Sequence, residues 1–272
     1  MGWNIFTNAP DSYHLTAAHI RNSLHQQGFA TFNAADLDLS DSEKIDLISL
    51  CELSKSLPLD RFGEGGRHRS YCEGVWSWET ESIDWKTGYP EPDGSVEIDY
   101  HQGSEYQPEF GGVVRKFLRM SDEILNKGLL NKLIWHDLSL TGMAEHYSRL
   151  LCGVHLIRMQ ALPGKPAKIT PNCFHRDGQP FTAVHLIERC NVEGGATHIA
   201  PPYYANCQLE AVPAHEITRF LLNDPLDSYI IDDAAICHYI NPVICDENAS
   251  VGVRTIILID FTPLEQSDRC PQ

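Results

Sequence analysis

The sequence predicts a mainly β chain with a helical N-terminal part, and three observations carry that prediction. In the first half, apolar residues recur at helical spacing, as at Tyr13, Ala17, Ile20 and Leu24. From residue 153 the pattern changes to short apolar or alternating runs: "VHLIRMQAL", "FTAVHLIERC", "ATHIA", "SYIID", "AICHYINPVI" and "RTIILIDF". Turn signals separate these runs, among them Pro-Gly, Asp-Gly, Gly-Gly and Asn-Asp-Pro. Strands this short and this regularly spaced build a sandwich or a barrel. No repeat, low-complexity tract or linker interrupts the chain, so 1–272 reads as one domain. A helical and loop layer at 1–152 packs on a small β-barrel at 153–263.

Taken in order, the first helix ends at Gly28, and "FATF" follows as a short strand. Ser40 and Glu43 stand in capping-box spacing ahead of Ile45, Ile48 and Leu53. Residues 60–110 show little periodicity but hold Gly, charge and Trp76, Trp78 and Trp85, which favours a functional loop over a disordered insert. Helical patterns return over Gly112–Gly128 and Leu130–Leu151.

Composition narrows the function. A formal charge of −16 argues against nucleic acid or an anionic membrane as partner, since both need clustered Lys and Arg. Nine cysteines, odd in number and never spaced C-x-x-C, argue against a disulfide framework or a zinc knuckle. Cys173 and Cys237 read as buried thiols. The N-terminus "MGWNIFTNAPDSYH" has no signal-peptide pattern, and no apolar run approaches the roughly 20 residues that span a bilayer. A cytoplasmic location is expected.

The candidate chemistry lies in the second half. Among 13 histidines a His-x-Asp pair arises readily by chance, so His175 and Asp177 in "FHRDGQPF" decide nothing alone. On a strand the two would share a face and converge on one ion. His238, within "AICHYINPVI", is the third candidate ligand, although a lone histidine in an apolar run also serves as a core residue. Arg254 opens the apolar run "RTIILIDF", where a guanidinium needs a buried anion. Two imidazoles and a carboxylate on one face of Fe(II) leave positions open, and an arginine offers a bidentate clamp for a carboxylate.

With these residues in place, the chain resembles the 2-oxoglutarate/Fe(II)-dependent dioxygenases, and among them the bacterial amino-acid hydroxylases grouped with L-isoleucine dioxygenase. The resemblance runs over 153–263 through "HLIRMQA", "FHRDGQPFTAVHLIERCNVEGGATHI", "LLNDPLDSYIIDDAAICHYINPV" and "RTIILIDF". A weaker echo is "YHQGSEYQPEFGGVVRKF" at 100–117. It implies a double-stranded β-helix (jelly-roll, cupin-like) core flanked by helices. It also implies Fe(II) on His175, Asp177 and His238, and 2-oxoglutarate held by Arg254, with O2 as oxidant. Succinate and CO2 would be released as a substrate C–H bond is hydroxylated. The Gly-Gly-x-Thr turn of many such enzymes places Thr197 at the cosubstrate, or Thr197 satisfies a strand. Where some relatives have Arg-x-Ser, this chain has Arg254-Thr255-Ile256. Related halogenases lack the carboxylate, so Asp177 points to oxygen chemistry.

The implied substrate is a free L-amino acid or close derivative, with Arg67, Arg69 and Arg115 as candidates for its carboxylate and Arg158 for the barrel mouth. Each could instead be a surface or paired arginine. The tryptophans build either a cover over the substrate or packing against the barrel. Asp232 and Asp233 are expected to make a turn and a contact to an iron-bound histidine. Desaturation or ring closure on the same cofactors, and a cupin-like metal-binding protein without turnover, are the alternatives. A homodimer is compatible with all of these.

Overall fold

The computed structural model describes residues 15–63, 65–103, 106, 112–169 and 171–266. Tyr13 and Cys270 lie outside them. Helix α1 (Ala17–Gln27) buries Ile20 and Leu24 and ends at Gly28, whose φ of 77° lets its N–H return to the Leu24 carbonyl. Strand β1 (Phe29–Phe32) follows. Helix α2 (Asp41–Ser54) starts at the expected capping box, with both arms of the Ser40–Glu43 exchange formed. It buries Leu47, Leu50 and Ser54, whereas Ile45 and Ile48 face solvent.

The stretch 60–110 departs from the expectation of an irregular loop. It contains β2 (Arg67–Ser77), β3 (Ser82–Trp85), β4 (Tyr89–Pro90) and β5 (Val96–Tyr100). Strand β2 hides its period because Arg67, Arg69 and Tyr71 occupy buried positions on one of its faces, where apolar residues would normally betray a strand. Likewise Gly112–Gly128 is not one helix: β6 (Arg115–Arg119) precedes the single turn α3 (Asp122–Leu125). Helices α4 (Gly128–Thr141) and α5 (Met143–His146) then lead into β7 (Tyr147–Ala161), so the helical reading holds only to His146.

The remaining strands are β8 (Phe181–Cys190), β9 (Val192–Gly194), β10 (Thr197–Ala200), β11 (Thr218–Phe220), β12 (Ser228–Asp232), β13 (Cys237–Ile240), β14 (Val243–Cys245) and β15 (Gly252–Gln266). The large sheet runs β1-β12-β8-β15-β7-β2-β6-β5-β4, with β3 on β2. Smaller sheets β11-β10-β13 and β14-β9 complete a jelly-roll core.

Long strands β7 and β15 pair antiparallel through the middle of the large sheet, with Leu258 opposite His155. Both are covered on their two faces. Leu150, Cys152, Val154 and Leu156 of β7, with Ile257, Ile259 and Phe261 of β15, join the helices in one core. The alternate residues, His155, Ile157 and Met159 with Arg254, Ile256, Leu258 and Asp260, line a cavity between the sheets. A buried Asp137–His185 pair at 2.8 Å ties α4 to β8, with the Ser228 hydroxyl on the other ring nitrogen. Among the described residues every cysteine is a free thiol, and no helix is long and apolar enough to cross a membrane.

Candidate active site

His175 and Asp177 sit not on a strand but on an extended segment ahead of β8, joined to β13 by a single bridge. The bridge is enough. His175 and His238 exchange both backbone hydrogen bonds at 2.9 Å, and directly opposed residues of an antiparallel pair project to the same side. Their ring centroids are 4.2 Å apart. Asp177, two residues on, meets both: its carboxylate oxygens lie 3.8 Å from His175 Nε2 and 3.8 Å from His238 Nε2. One donor atom from each of the three falls within 4.8 Å of the others, the spread of ligands around one ion.

The surroundings keep these donors available. His175 Nδ1 is 3.0 Å from the Cys173 carbonyl, so this nitrogen donates there and Nε2 is the atom turned towards Asp177. Burial pushes His238 down to about 4, with the neighbouring His175 adding to the shift, so its imidazole is neutral. Asp233 grips the segment from below: its carboxylate accepts the N–H of Asp177 at 2.6 Å and of Gly178 at 2.9 Å. Burial raises Asp233 to about 6. The turn expected at Asp232–Asp233 forms, with Asp232 capping it at Ala234, but the expected contact to a ligand histidine is replaced by one to the Asp177 backbone.

The same cavity has cationic residues at separate places. Arg254 is 1% exposed, its Nε and Nη2 have no hydrogen-bond partner, and burial lowers it to about 10. A fully buried guanidinium with unmet donors is unfavourable unless an anion joins it. Gly195 makes its place: a Cβ there would stand 3.1 Å from Arg254 Cδ, and the φ of 69° already selects glycine. Tyr229, raised to about 12 by burial, faces Arg254 and Thr197. Thr197 itself is buried beside Tyr229 and does not line the cavity.

On β2 and β6 the structure sorts the candidate arginines. Arg67 lines the cavity but is paired with Asp60 at 2.7 Å. Arg69 and Arg115 also line it. Arg69 donates to His155 Nδ1 at 2.7 Å and lies 4.3 Å from the Phe117 ring centroid; Arg115 donates to Gln102 at 2.7 Å, and burial lowers its pKa. Gln102 in turn donates to the Asp177 carbonyl at 2.7 Å. Arg158 does not reach the cavity. The strand period places it on the helix-facing side of β7, where it meets Glu188 at 2.6 Å, Ser54 at 3.2 Å and Thr255 at 3.3 Å. Trp76 is buried in the helical core, with Trp78 and Trp135 against it, and among the described residues no tryptophan lines the cavity.

The model of the family described as "2OG-Fe dioxygenase" matches residues 51–260. The chain belongs to that family. Its metal is accordingly Fe(II), and its cosubstrates are 2-oxoglutarate and O2. The chain is 28% identical over 238 residues, 85% of its length and 88% of the relative's, to the 3(1)-hydroxy-L-isoleucine 4-dioxygenase of Pantoea ananatis (strain AJ13355). It is 26% identical over 168 residues, 60% of this chain and 65% of the relative, to the L-isoleucine-4-hydroxylase of Bacillus thuringiensis. In fold it is similar to the crystal structure of IDO from Bacillus thuringiensis, with a TM-score of 0.73 and 20% identity over 92% of this chain and all of that one. A bsmA homolog from Methylobium petroleophilum PM1 gives a TM-score of 0.75 at 20% identity, covering 95% and 97%.

The residues present fit both iron and 2-oxoglutarate. Three side chains of ligand type converge on one point, and the buried Arg254 has unmet donors in the same cavity. Sequence reasoning missed Tyr229, Gln102, His155 and Asp260. Alternation along "SYIID" and "RTIILIDF" could have placed Tyr229 and Asp260 on the Arg254 side. Nothing local marks Gln102 or His155.

Proposed function

We propose that this enzyme hydroxylates an unactivated C–H bond of a free L-amino acid or close derivative, with Fe(II) on His175, Asp177 and His238. The single observation that carries this reading is the joint placement, in one buried cavity, of the three ligand side chains, the unpaired Arg254 and the pair Arg69 and Arg115. The identity of the two curated relatives as isoleucine-type oxygenases favours an amino acid over other acids.

Bound iron and 2-oxoglutarate supply the oxidising chemistry, with release of succinate and CO2. The chain supplies position and dryness. Arg254 takes the distal carboxylate of 2-oxoglutarate by a charge-assisted contact in a low-dielectric site, with Tyr229 beside it. Asp233 and Gln102 fix the Asp177 segment from two sides. Arg69 and Arg115 orient the substrate carboxylate, and Ile157, Val184, Ile231 and Leu258 make an aliphatic wall that excludes water. The N-terminal half thus shapes the substrate pocket on one domain with the β core, and the reducing cytoplasm is the proposed compartment.

The test has two stages. Anaerobic Fe(II) protein is titrated with 2-oxoglutarate and watched for a visible charge-transfer band; then a panel of L-amino acids, isoleucine first, is assayed for succinate release with a mass gain of one oxygen. The reading fails if no band and no calorimetric binding appear, or if no amino acid couples to succinate. His175→Ala and His238→Ala should each abolish turnover.

A further inference from the structure

Two acidic residues line the cavity among the described residues, Asp177 and Asp260. Asp177 belongs with the two histidines. Asp260 is 5% exposed, stands on β15 beyond Leu258, and needs an account of its own.

Its polar neighbour is His155, whose Nε2 lies 3.4 Å from Asp260 Oδ2. That ring does not neutralise it. Arg69 approaches His155 Nδ1 with Nη2 at 2.7 Å and Nε at 3.2 Å, and a guanidinium only donates. Nδ1 must therefore accept, the single ring proton sits on Nε2, and the imidazole is neutral. Burial, and after it the charge of Arg69, lowers the His155 pKa in agreement. Asp260 is left as a buried carboxyl receiving one neutral donor, and no ion pair with a lysine or arginine forms at it among the described residues.

The backbone makes room for this carboxyl. Gly153 faces it across the β7–β15 pairing, and a Cβ there would fall 2.6 Å from Asp260 Oδ2. A glycine inside a long, fully covered strand costs stability and marks a close approach. Here the approach is that of a charged group, not of another backbone.

We infer that Asp260 receives the α-ammonium of the substrate while Arg69 and Arg115 receive its α-carboxylate, with His155 as the spacer that positions both. The inference rests on the reading of the substrate as an amino acid. Geometry supports it. Arg69 Nη2 lies 3.5 Å from His155 Nε2, so the guanidinium and the Asp260 carboxylate are no further apart than two contacts laid end to end. That separation suits the two charged groups of one α-carbon. The aliphatic residues Leu258 and Val184 stand opposite each other on β15 and β8, next along the cavity wall, where a side chain would extend. Burial, with the charges of Asp177 and Glu73, raises the Asp260 carboxyl to about 7, and an arriving ammonium reverses that penalty.

The experiment compares Asp260→Asn, which keeps the shape and removes the charge, with the wild-type holoenzyme. The probes are the amino acid of the panel that is turned over best and the 2-hydroxy acid carrying a hydroxyl in place of its ammonium. Wild type should prefer the amino acid in kcat/KM. The variant should raise the KM of the amino acid at least about tenfold, the loss expected for a charge-assisted contact, and leave that of the hydroxy acid within about twofold. The KM for 2-oxoglutarate and the visible band should stay in place. An unchanged preference in the variant overturns the inference and spares the parent reading; a wild-type enzyme that turns over no amino acid removes both. If the variant does not fold, the 13C-carboxyl resonance of Asp260 is followed in zinc(II)-loaded wild type. It should move on adding the amino acid and not the hydroxy acid, and no movement overturns the proposal.

Discussion

Asp233 holds Asp177 by its backbone: one carboxylate accepts two consecutive N–H groups, at 2.6 Å from Asp177 and 2.9 Å from Gly178. Arg176 completes the clasp by donating to the Asp233 carbonyl at 2.6 Å. A turn fixed this way presents the Asp177 side chain to His175 and His238 without Asp233 touching either ring.

Asp233→Asn turns one of these acceptors into an N–H facing another N–H. Metal affinity should fall between about 10-fold and 100-fold, the usual cost of losing a group that orients a ligand. Equilibrium titration with Co(II) measures it, and an affinity equal to wild type would show that the clasp is dispensable.

Arg254→Ala separates cosubstrate from metal. Iron affinity should stay close to wild type, while the 2-oxoglutarate requirement rises at least about tenfold, because a charge-assisted contact in a dry site is lost. Arg254→Lys should recover only part, since an ammonium cannot reproduce the planar fork. If the 2-oxoglutarate dependence is unchanged, Arg254 is a structural residue.

For Arg158 the opposite pattern is expected. Arg158→Ala leaves Glu188 poorly hydrated and unpaired and should cost roughly 3 kcal/mol in urea denaturation. Both KM values should stay within about twofold of wild type. A selective rise in the amino-acid KM would return Arg158 to the substrate site.

The Asp137–His185 pair gives a pH signature of stability. Burial alone would raise the Asp137 carboxyl; the His185 and His136 rings override it and hold the group below its ordinary value. A carboxyl lowered on folding stabilises above its unfolded pKa, about 4, and loses that contribution as pH falls through the lower folded value. The stability gap between wild type and Asp137→Asn should therefore be present at about pH 5 and narrow below about 4. Urea midpoints across that range decide it, and a gap that widens in acid contradicts the assignment.

Local grammar was legible wherever a short-range rule acts alone. The Ser40–Glu43 capping box, the left-handed stop at Gly28 and the strand "FATF" need only neighbours in sequence, and all three stand in the structure. Strands β2 and β6 were illegible for a physical reason. Their inward faces carry Arg67, Arg69 and Arg115 because they wall a polar cavity, so hydrophobic alternation, the signal of a strand, is absent there.

By itself the sequence carried the family, the 2OG-Fe dioxygenases, and the residues of the proposed site, His175, Asp177 and His238 with Arg254. Tertiary structure decided which charges are spent and which are free. Arg67 is answered by Asp60 and Arg158 by Glu188, while Arg69, Arg115, Arg254 and Asp260 face a common cavity and form no direct ion pair with a lysine, arginine or carboxylate among the described residues. One-dimensional spacing cannot tell these cases apart, because pairing depends on which strand lies alongside and on which face a period of two sends each side chain.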